Sequence, residues 1–332
     1  MNGTPTDKTK LLLSSRDGKT VFEPVTAEGA KWTTYRRGTP GKLTFKILND
    51  KKLDFGEGGT VMLYKGNKPL FYGYVFKKSR SKDEIIEVTA YDQLRYLNNK
   101  DVYVYENKTA SELIAMIADD FGLKTGEIEN TDYVIPSRIE DNSTLFDIME
   151  NALDITLQNS GEDFVLYDDF GKLTLKSTKN MYVKKDGSYL LLDEASGENL
   201  EYSSSIDGGT FNKIKLTYER DKSGKRDIYI AKDEDNINNW GILQYYDTLK
   251  EGENGQAKAE ALLKLYNAKT RKLRITNAFG DCSVRAGSMV AVRLDLGDMT
   301  VNNFMLVEKA THTFKLDEHF MDLNLKGGEF IG

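Results

Sequence analysis

A chain of 332 residues is too long for a single hydrophobic core, so we expect two or three domains. Hydrophobic residues make up 39% of the chain, which is enough to fill those cores and excludes a globally disordered protein. The net charge of −6 excludes a dominant basic surface for DNA or RNA. Aromatic residues make up 11%, mostly Tyr and Phe, and this favours β-structure.

The composition also indicates where the chain folds. Cys282 is the single cysteine, so no intrachain disulfide forms, which fits folding in a reducing compartment. We interpret Cys282 as a small buried residue. Residues 1–7 are polar and lack the apolar core of a signal peptide. Because no apolar run reaches the length of a membrane span, we expect no membrane insertion.

Residues 1–102 predict an all-β domain. Glycines separate short apolar-alternating segments such as Leu43–Leu48, and Gly38-Thr39-Pro40-Gly41 predicts a turn before that strand. From Gly59 to Tyr91 the alternation of apolar and polar residues predicts a three-strand antiparallel meander, with a charged turn at 81–84.

Residues 103–195 predict a compact α/β domain. Thr109 and Glu112 are spaced as a capping box and are followed by apolar residues at helical spacing, so a helix is expected there. A second helix is predicted to start at Ser143 or Thr144. Two β-strands are then expected to form a hairpin around a turn at 168–171, and they cover Phe164–Tyr167 and Lys172–Leu175.

Residues 196–332 predict a second β-domain with a helical insertion at about 233–270. A hairpin is predicted from Lys213–Tyr218 and Arg226–Ile230, around a turn at 221–224. The apolar stripe of the inserted helix is predicted to consist of small and aliphatic side chains, namely Ala257, Ala261, Leu262, Leu265 and Ala268.

The end of this domain repeats the pattern of the first meander. Gly287 to Leu325 contains three alternating segments, separated at Gly297 and at a charged turn around Leu316-Asp317-Glu318. If both regions form similar barrels, three subunits in a ring would present six similar surfaces. Chance similarity between two β-meanders is the alternative.

The motifs that suggest chemistry do not form an active site, so we predict no catalytic, cofactor-binding or metal-binding residues and no enzymatic activity. His312 and His319 are interpreted as structural strand residues, because no cysteine or carboxylate lies at ligand spacing around them. Asp169-Phe170-Gly171 is interpreted as a hairpin turn rather than a kinase triplet, and Gly38–Lys42 precedes a strand, unlike a phosphate loop. Asp233–Asn236 lacks the glycine of a calcium loop and is interpreted as a solvated loop or helix cap.

Several longer segments resemble one family over most of the chain. The chain is similar to baseplate hub proteins of contractile phage tails and phage-tail-like bacteriocins, in particular the hubs of defective prophages. The segments that carry this resemblance occur in the same order, and they are Arg36–Phe45, Phe71–Phe76, Tyr91–Leu97, Trp240-Gly241, the alanine-rich stretch 257–268, Arg285-Ala286-Gly287, His312–Phe314 and His319–Leu323. The stretch 177–200 is the variable part.

The resemblance implies a homotrimeric hub between the hexameric tail tube and the trimeric central spike. Each subunit would carry two tail-tube-like β-barrels, residues 1–102 and 196–332, with the α/β domain between them. The implied partners are the tail tube protein, the central spike protein, other baseplate proteins and the tape measure protein. The protein would be assembled in the host cytoplasm and reside in the baseplate of a phage or phage-tail-like particle, without specific nucleic-acid binding.

Two other functions remain as alternatives. A tail-associated hydrolase of peptidoglycan or polysaccharide would need a pair of carboxylates in a cleft. A glycan-binding receptor module would expose aromatic platforms.

Overall fold

The computed structural model describes eight parts of the chain: residues 8–50, 53–80, 82, 84–219, 226–249, 253–296, 300–315 and 318–327. The polar start 1–7, the turn 221–224, Gly297, residues Leu316-Asp317 and half of the turn 81–84 lie outside these residues. None of the described helices is long and apolar enough to span a membrane. The fold is mainly β, as predicted.

The first part of the chain forms antiparallel strands whose alternate side chains build one core. The predicted meander is confirmed, because β5, β6 and β7 pair in sequence, and β7 pairs with β4, which pairs with β3. On the other side, β5 pairs with β1, which pairs with β2. The strands are β1 (Thr9–Ser14), β2 (Val21–Phe22), β3 (Thr26–Tyr35), β4 (Lys42–Leu48), β5 (Thr60–Lys65), β6 (Lys68–Arg80) and β7 (Ile85–Tyr91).

The next part contains two helices, and both helix starts were predicted correctly. Thr109 and Glu112 form a capping box, and Thr144 forms a second one with Asp147. The predicted hairpin is also confirmed by the pairing of β11 with β12. The elements are a 3-10 helix (Gln93–Asn98), β8 (Lys100–Thr109), α1 (Ala110–Asp120), β9 (Thr125–Ile128), β10 (Val134–Thr144), α2 (Leu145–Ser160), β11 (Phe164–Asp168) and β12 (Leu173–Ser177).

A small unit follows that has its own sheet and apolar core. The predicted hairpin is confirmed as β17 and β18, and β19 runs parallel to β17. The elements from here to the end of this unit are a 3-10 helix (Thr178–Asn180), β13 (Lys184–Lys185), β14 (Ser188–Tyr189), β15 (Leu191–Leu192), β16 (Asn199–Ser205), β17 (Lys213–Glu219), β18 (Arg226–Lys232), α3 (Glu234–Trp240), β19 (Gln244–Thr248) and α4 (Gly255–Tyr266).

The predicted apolar stripe of α4 was wrong. Ala257, Ala261 and Leu265 are exposed, and the helix buries Gly255 and Ala259 instead, together with the correctly predicted Leu262. The reason is close packing: a Cβ on Gly255 would overlap the ring of Tyr229, so this face of the helix lies directly on β18. Because α4 has small residues on more than one face, helical periodicity alone does not identify the buried one.

The last part forms the second predicted meander, since β21, β22 and β23 pair antiparallel in sequence. β23 also pairs with β20, and β20 with β16. The strands are β20 (Thr270–Phe279), β21 (Met289–Asp295), β22 (Thr300–Lys315) and β23 (Glu318–Gly327).

The two parts of the main sheet have the same strand order. The order β3-β4-β7-β6-β5-β1 in the first half corresponds to β16-β20-β23-β22-β21-β15 in the second. Both long strands carry a register shift at the same place, between Val75 and Lys77 in β6 and between Val307 and Lys309 in β22. One detail differs, because β1 is antiparallel to β5 whereas β15 is parallel to β21.

The turns that lead into the two meanders are equivalent down to single hydrogen bonds. The amide of Gly58 donates to the carbonyl of Val75 at 2.8 Å, and the amide of Gly287 donates to that of Val307 at 2.7 Å. Both glycines have a positive φ, +83° and +92°, a conformation that favours glycine. The sequence repeat therefore corresponds to a repeat of backbone structure.

Among the described strands, a single pairing joins the two halves. Residues Ala30–Tyr35 of β3 pair antiparallel with Lys309–Phe314 of β22, and we call this pairing the seam. It makes one sheet from thirteen of the described strands. The expected pair of β-barrels is not confirmed, since the described strands form no closed barrel and the two halves are joined through β3 and β22.

Gly29 provides a test of the seam. It lies in a β-bulge of β3, has φ +80°, and a Cβ there would overlap the carbonyl oxygen of Phe314 in β22. We expect Gly29→Ala to lower the free energy of unfolding by about 3 kcal/mol or more, measured by urea denaturation. Gly58→Ala is the matched control: Gly58 has φ +83° and an added Cβ meets no atom within 4 Å. It should lose only about 1–2 kcal/mol, from backbone strain. Equal losses would show that the contact with β22 has no effect.

Candidate functional site

The three larger parts of the fold meet at a set of charged residues that we call the charge junction: Asp92, Asp168 and Arg285. Asp92 follows β7, Asp168 ends β11, and Arg285 lies in the loop before β21. The Asp92 carboxylate accepts hydrogen bonds from the amides of Gly41 at 2.9 Å and Leu94 at 3.1 Å. That carboxylate therefore holds the turn before β4 against the end of β7.

Arg285 links the other two parts. Its guanidinium donates to the backbone carbonyl of Asp168 at 2.9 Å and lies over the Tyr167 ring, 3.9 Å from the ring centroid. The Asp168 carboxylate accepts from the amide of Gly171 at 2.7 Å. The sheet of the second half is thus fastened to the hairpin of the α/β part.

If both carboxyls of the charge junction were ionised at neutral pH, it would contain two negative charges and one positive charge. Burial raises the pKa of Asp168 to about 7, and burial together with the nearby Asp168 raises the pKa of Asp92 well above its usual range. Arg285 stays protonated, although burial lowers its pKa. We infer that the charge junction retains a carboxyl proton in the folded protein up to a higher pH than in the unfolded chain.

A second ionic cluster lies at the end of β3. The side chain of Arg36, only 9% exposed, binds Glu308 of β22 at 3.0 Å and Asp163 after α2 at 3.3 Å. Arg37 binds Asp154 of α2 at 2.5 Å, and the amide of Gly38 donates to the carboxylate of a further α2 residue, Glu150. The cluster ties both halves of the sheet to the second helix.

These clusters contain residues that the sequence analysis assigned no role. Arg36, Asp92 and Arg285 all belong to segments that carry the family resemblance, yet they come from distant parts of the chain. No local pattern predicts that they meet. One signal of these contacts was present in the sequence. Each charged residue lies next to the end of an apolar strand, and a charged side chain that is buried there needs a partner.

The two histidines, His312 and His319, lie side by side. His312 is fully buried, and its Nε2 donates to the carbonyl of Val284 at 2.9 Å. Its Nδ1 must then accept, and it lies 2.9 Å from Nε2 of His319. The remaining Nδ1 of His319 faces the thiol of Cys282 at 3.7 Å. Cys282 is half-buried, not fully buried as expected.

This geometry indicates a structural role for His312. Burial and the neighbouring His319 lower its pKa to about 3, so the ring is neutral in the folded protein. An unfolded histidine titrates near 6.5, so the stability that neutral His312 contributes is lost as the pH falls from about 6.5 towards 3. Among the described residues, no group of three or more His, Cys, Asp or Glu side chains is arranged to hold a metal ion.

The rejected sequence motifs have ordinary structural roles. Asp169-Phe170-Gly171 forms the turn between β11 and β12, as predicted. Asp233 caps α3 by accepting from the amide of Asn236 at 2.8 Å. Gly38–Lys42 leads into β4 rather than into a helix.

A cleft of about 1300 Å³ lies between α2, α4 and the second half of the sheet. Each carboxylate known to line it is paired with an arginine: Asp154 with Arg37, Asp163 with Arg36, Glu201 with Arg274 and Glu308 with Arg36. These carboxylates therefore serve as partners in ion pairs.

Residues 30–326 match the protein family described as YQBQ-like. The chain belongs to the YQBQ-like family. It is 29% identical over 311 residues, 92% of either chain, to the phage-like element PBSX protein XkdQ of Bacillus subtilis (strain 168). Its fold is similar to the crystal structure of the prophage MuSo2 43 kDa tail protein from Shewanella oneidensis, with a TM-score of 0.65 and 14% identity, over 95% of this chain and 98% of that one.

A further similar structure is the E. coli c3393 protein, a component of the type VI secretion system reported to resemble T4 bacteriophage tail proteins gp27 and gp5. The TM-score is 0.55 at 12% identity, over 96% of this chain and 76% of that one. This YQBQ-like protein thus has the fold of phage tail proteins, and the resemblance stated from the sequence is confirmed at that level.

The retained proton at the charge junction predicts a pH effect. Because burial raises the pKa of Asp168 from 3.8 to about 7, the folded state binds this proton more tightly than the unfolded state. Its contribution to stability is present below about pH 4 and is lost as the pH rises to about 7, a change of about 2–4 kcal/mol. Asp168→Asn cannot ionise, so its stability relative to wild type should increase over this range in urea denaturation.

The matched control is Asp119→Asn, which removes the same charge from an exposed residue of α1. Its stability should stay parallel to that of wild type at every pH. Parallel curves for Asp168→Asn as well would contradict the retained proton.

Proposed function

We propose that this YQBQ-like protein is a baseplate hub, three copies of which form a ring between the hexameric tail tube and the trimeric central spike. The observation that carries this proposal is the repeated strand order of the two sheet halves. Three chains with two equivalent halves offer six similar surfaces, which matches a sixfold tube to a threefold spike.

The proposed division of the chain follows this repeat. Residues 1–102 and 196–332 are the two tube-like domains, residues 103–195 form the α/β domain between them, and 233–270 is the helical part of an insertion. In a ring, the two halves of each chain have to keep a fixed angle. The seam and the ionic contacts of Arg36 with Glu308 and Asp163 support this by linking both halves to the α/β part.

The proposed role is structural and not enzymatic. The relatives and similar structures named above include tail proteins, and this favours the structural role over a hydrolase. The proposed partners are the tail tube protein, the central spike protein, other baseplate proteins and the tape measure protein. The proposed location is the baseplate of a phage or phage-tail-like particle.

The proposal is tested by counting copies. We expect light scattering of the purified protein to give three times the 37.5 kDa of one chain. Electron microscopy of the particle should show three copies below the last ring of the tube, with two similar lobes each. Six equivalent copies, or a position away from the tube axis, would overturn the proposal.

A hub must also let the contents of the tube pass. Because each phosphate contact adds affinity, a lumen rich in Lys and Arg would retain DNA. The net charge of −6 supports a neutral or acidic lining. We expect the purified protein to show no retention of duplex DNA in a gel-shift assay at about 0.15 M salt. Tight binding that weakens as salt increases would contradict a neutral or acidic lining.

A further inference from the structure

The seam shows how one half of this fold binds another through strand edges. β3 lies at the edge of the first half, and the last third of β22 is a free edge of the second half until β3 binds it. At its centre Thr33 pairs with Thr311, and their hydroxyl oxygens lie 3.2 Å apart. The amide of Ala286 in addition donates to the hydroxyl of Thr34 at 2.9 Å.

Within the described residues, the strands equivalent to β3 and β22 have no such partner. β16 corresponds to β3, and among the described strands it pairs only with β20. β6 corresponds to β22, and its last residues, Lys77–Arg80, pair only with β7 among the described strands. β16 is the edge strand at one end of the thirteen-stranded sheet, whereas β6 lies in the first half of the fold. Unpaired strand edges of this kind are binding surfaces for further strands.

The strand pairing gives the equivalence residue by residue. The register shifts align Val75 with Val307, so Ser79 is equivalent to Thr311. Ala90 and Leu325, which face these valines, pair in turn with Leu43 and Leu273. Leu43 pairs with Trp32, and Leu273 pairs with Tyr202. Trp32 of β3 is therefore equivalent to Tyr202 of β16.

We propose that β16 of one copy pairs antiparallel with the end of β6 in the next copy, in the register of the seam. This inference rests on the proposed ring. Transferring each pair of the seam to its equivalent gives the contacts Lys77 with Ser205, Lys78 with Ser204, Ser79 with Ser203, and Arg80 with Tyr202.

The side chains at these positions fit the proposed pairing. Ser79 and Ser203 carry hydroxyl groups where the seam has the hydroxyl pair Thr311 and Thr33. Ser204 carries a hydroxyl group at the position equivalent to Thr34, whose hydroxyl accepts a hydrogen bond from the amide of Ala286 in the loop before β21. Small, exposed serines on β16 leave room for an incoming backbone, because no bulky side chain blocks the edge.

Charge does not oppose this partner, because the β6 edge with Lys77, Lys78 and Arg80 meets no cation on β16. In both halves a side chain of the long strand donates a hydrogen bond to a carbonyl of the preceding loop, Lys78 to Phe55 and His312 to Val284, although the two donors occupy positions two residues apart in the alignment.

The pairing is tested by cross-linking in a chain whose single cysteine is removed by Cys282→Ser. Directly opposite residues on one face of a strand pair place their Cβ atoms within disulfide reach, whereas a neighbour one residue away points to the other face. We expect Ser79→Cys combined with Ser203→Cys to form a covalent, closed trimer on mild oxidation. The control combines Ser79→Cys with Ser204→Cys and should cross-link about tenfold less.

The reduced variants are first compared with wild type by circular dichroism and light scattering, so that a folding defect is detected. If the purified protein stays monomeric, the same oxidation is carried out on assembled particles. A trimer without the Ser79–Ser203 cross-link, or with equal cross-linking in the control, overturns the proposed pairing and leaves the hub intact. Absence of three copies from the particle overturns the hub itself.

Discussion

The antiparallel pairing of β3 with β22 is the constraint on which the rest of the structure depends. It brings Arg36, at the end of β3, next to Glu308 of β22, and it stacks Trp32 on His312 with ring centroids 5.1 Å apart. Without it the two halves would share no backbone hydrogen bonds among the described strands. This pairing fixes the position of one half relative to the other, and the proposed ring depends on that fixed position.

We infer that the charge junction makes this arrangement specific. Buried ions lose hydration, and replacing such a group by apolar residues is often neutral or stabilising in other proteins. Removing one partner is different, because it leaves an unpaired charge. Asp92, Asp168 and Arg285 come from three separate parts of the chain, so their contacts are lost in any packing in which one part is rotated. A hub that must match two symmetries would benefit from such a fixed geometry.

The sequence predicted what is local. Thr109 and Thr144 start helices because capping needs only residues three positions apart, and the meanders follow from alternation within one strand. It did not predict the charge junction or the seam, because these depend on contacts between residues up to about 280 positions apart in the chain, such as Thr33 and Thr311. The apolar stripe of α4 was predicted wrongly for a related reason, since the sheet that packs against the helix decides which helix face is buried.

The repeat has been kept in some places and altered in others, and the difference is informative. The strand order, the bends at Val75 and Val307 and the two entry glycines are retained, and all of them shape the edges that pair. A register shift occurs where β22 leaves β21 and meets β3; beyond the same shift in β6, the strand pairs only with β7 among the described strands. The halves differ away from these edges, where β17–β19, α3 and α4 replace the short connection between β3 and β4. Such a distribution is expected of a duplicated module whose edges serve one repeated contact while its outer surfaces bind different neighbours.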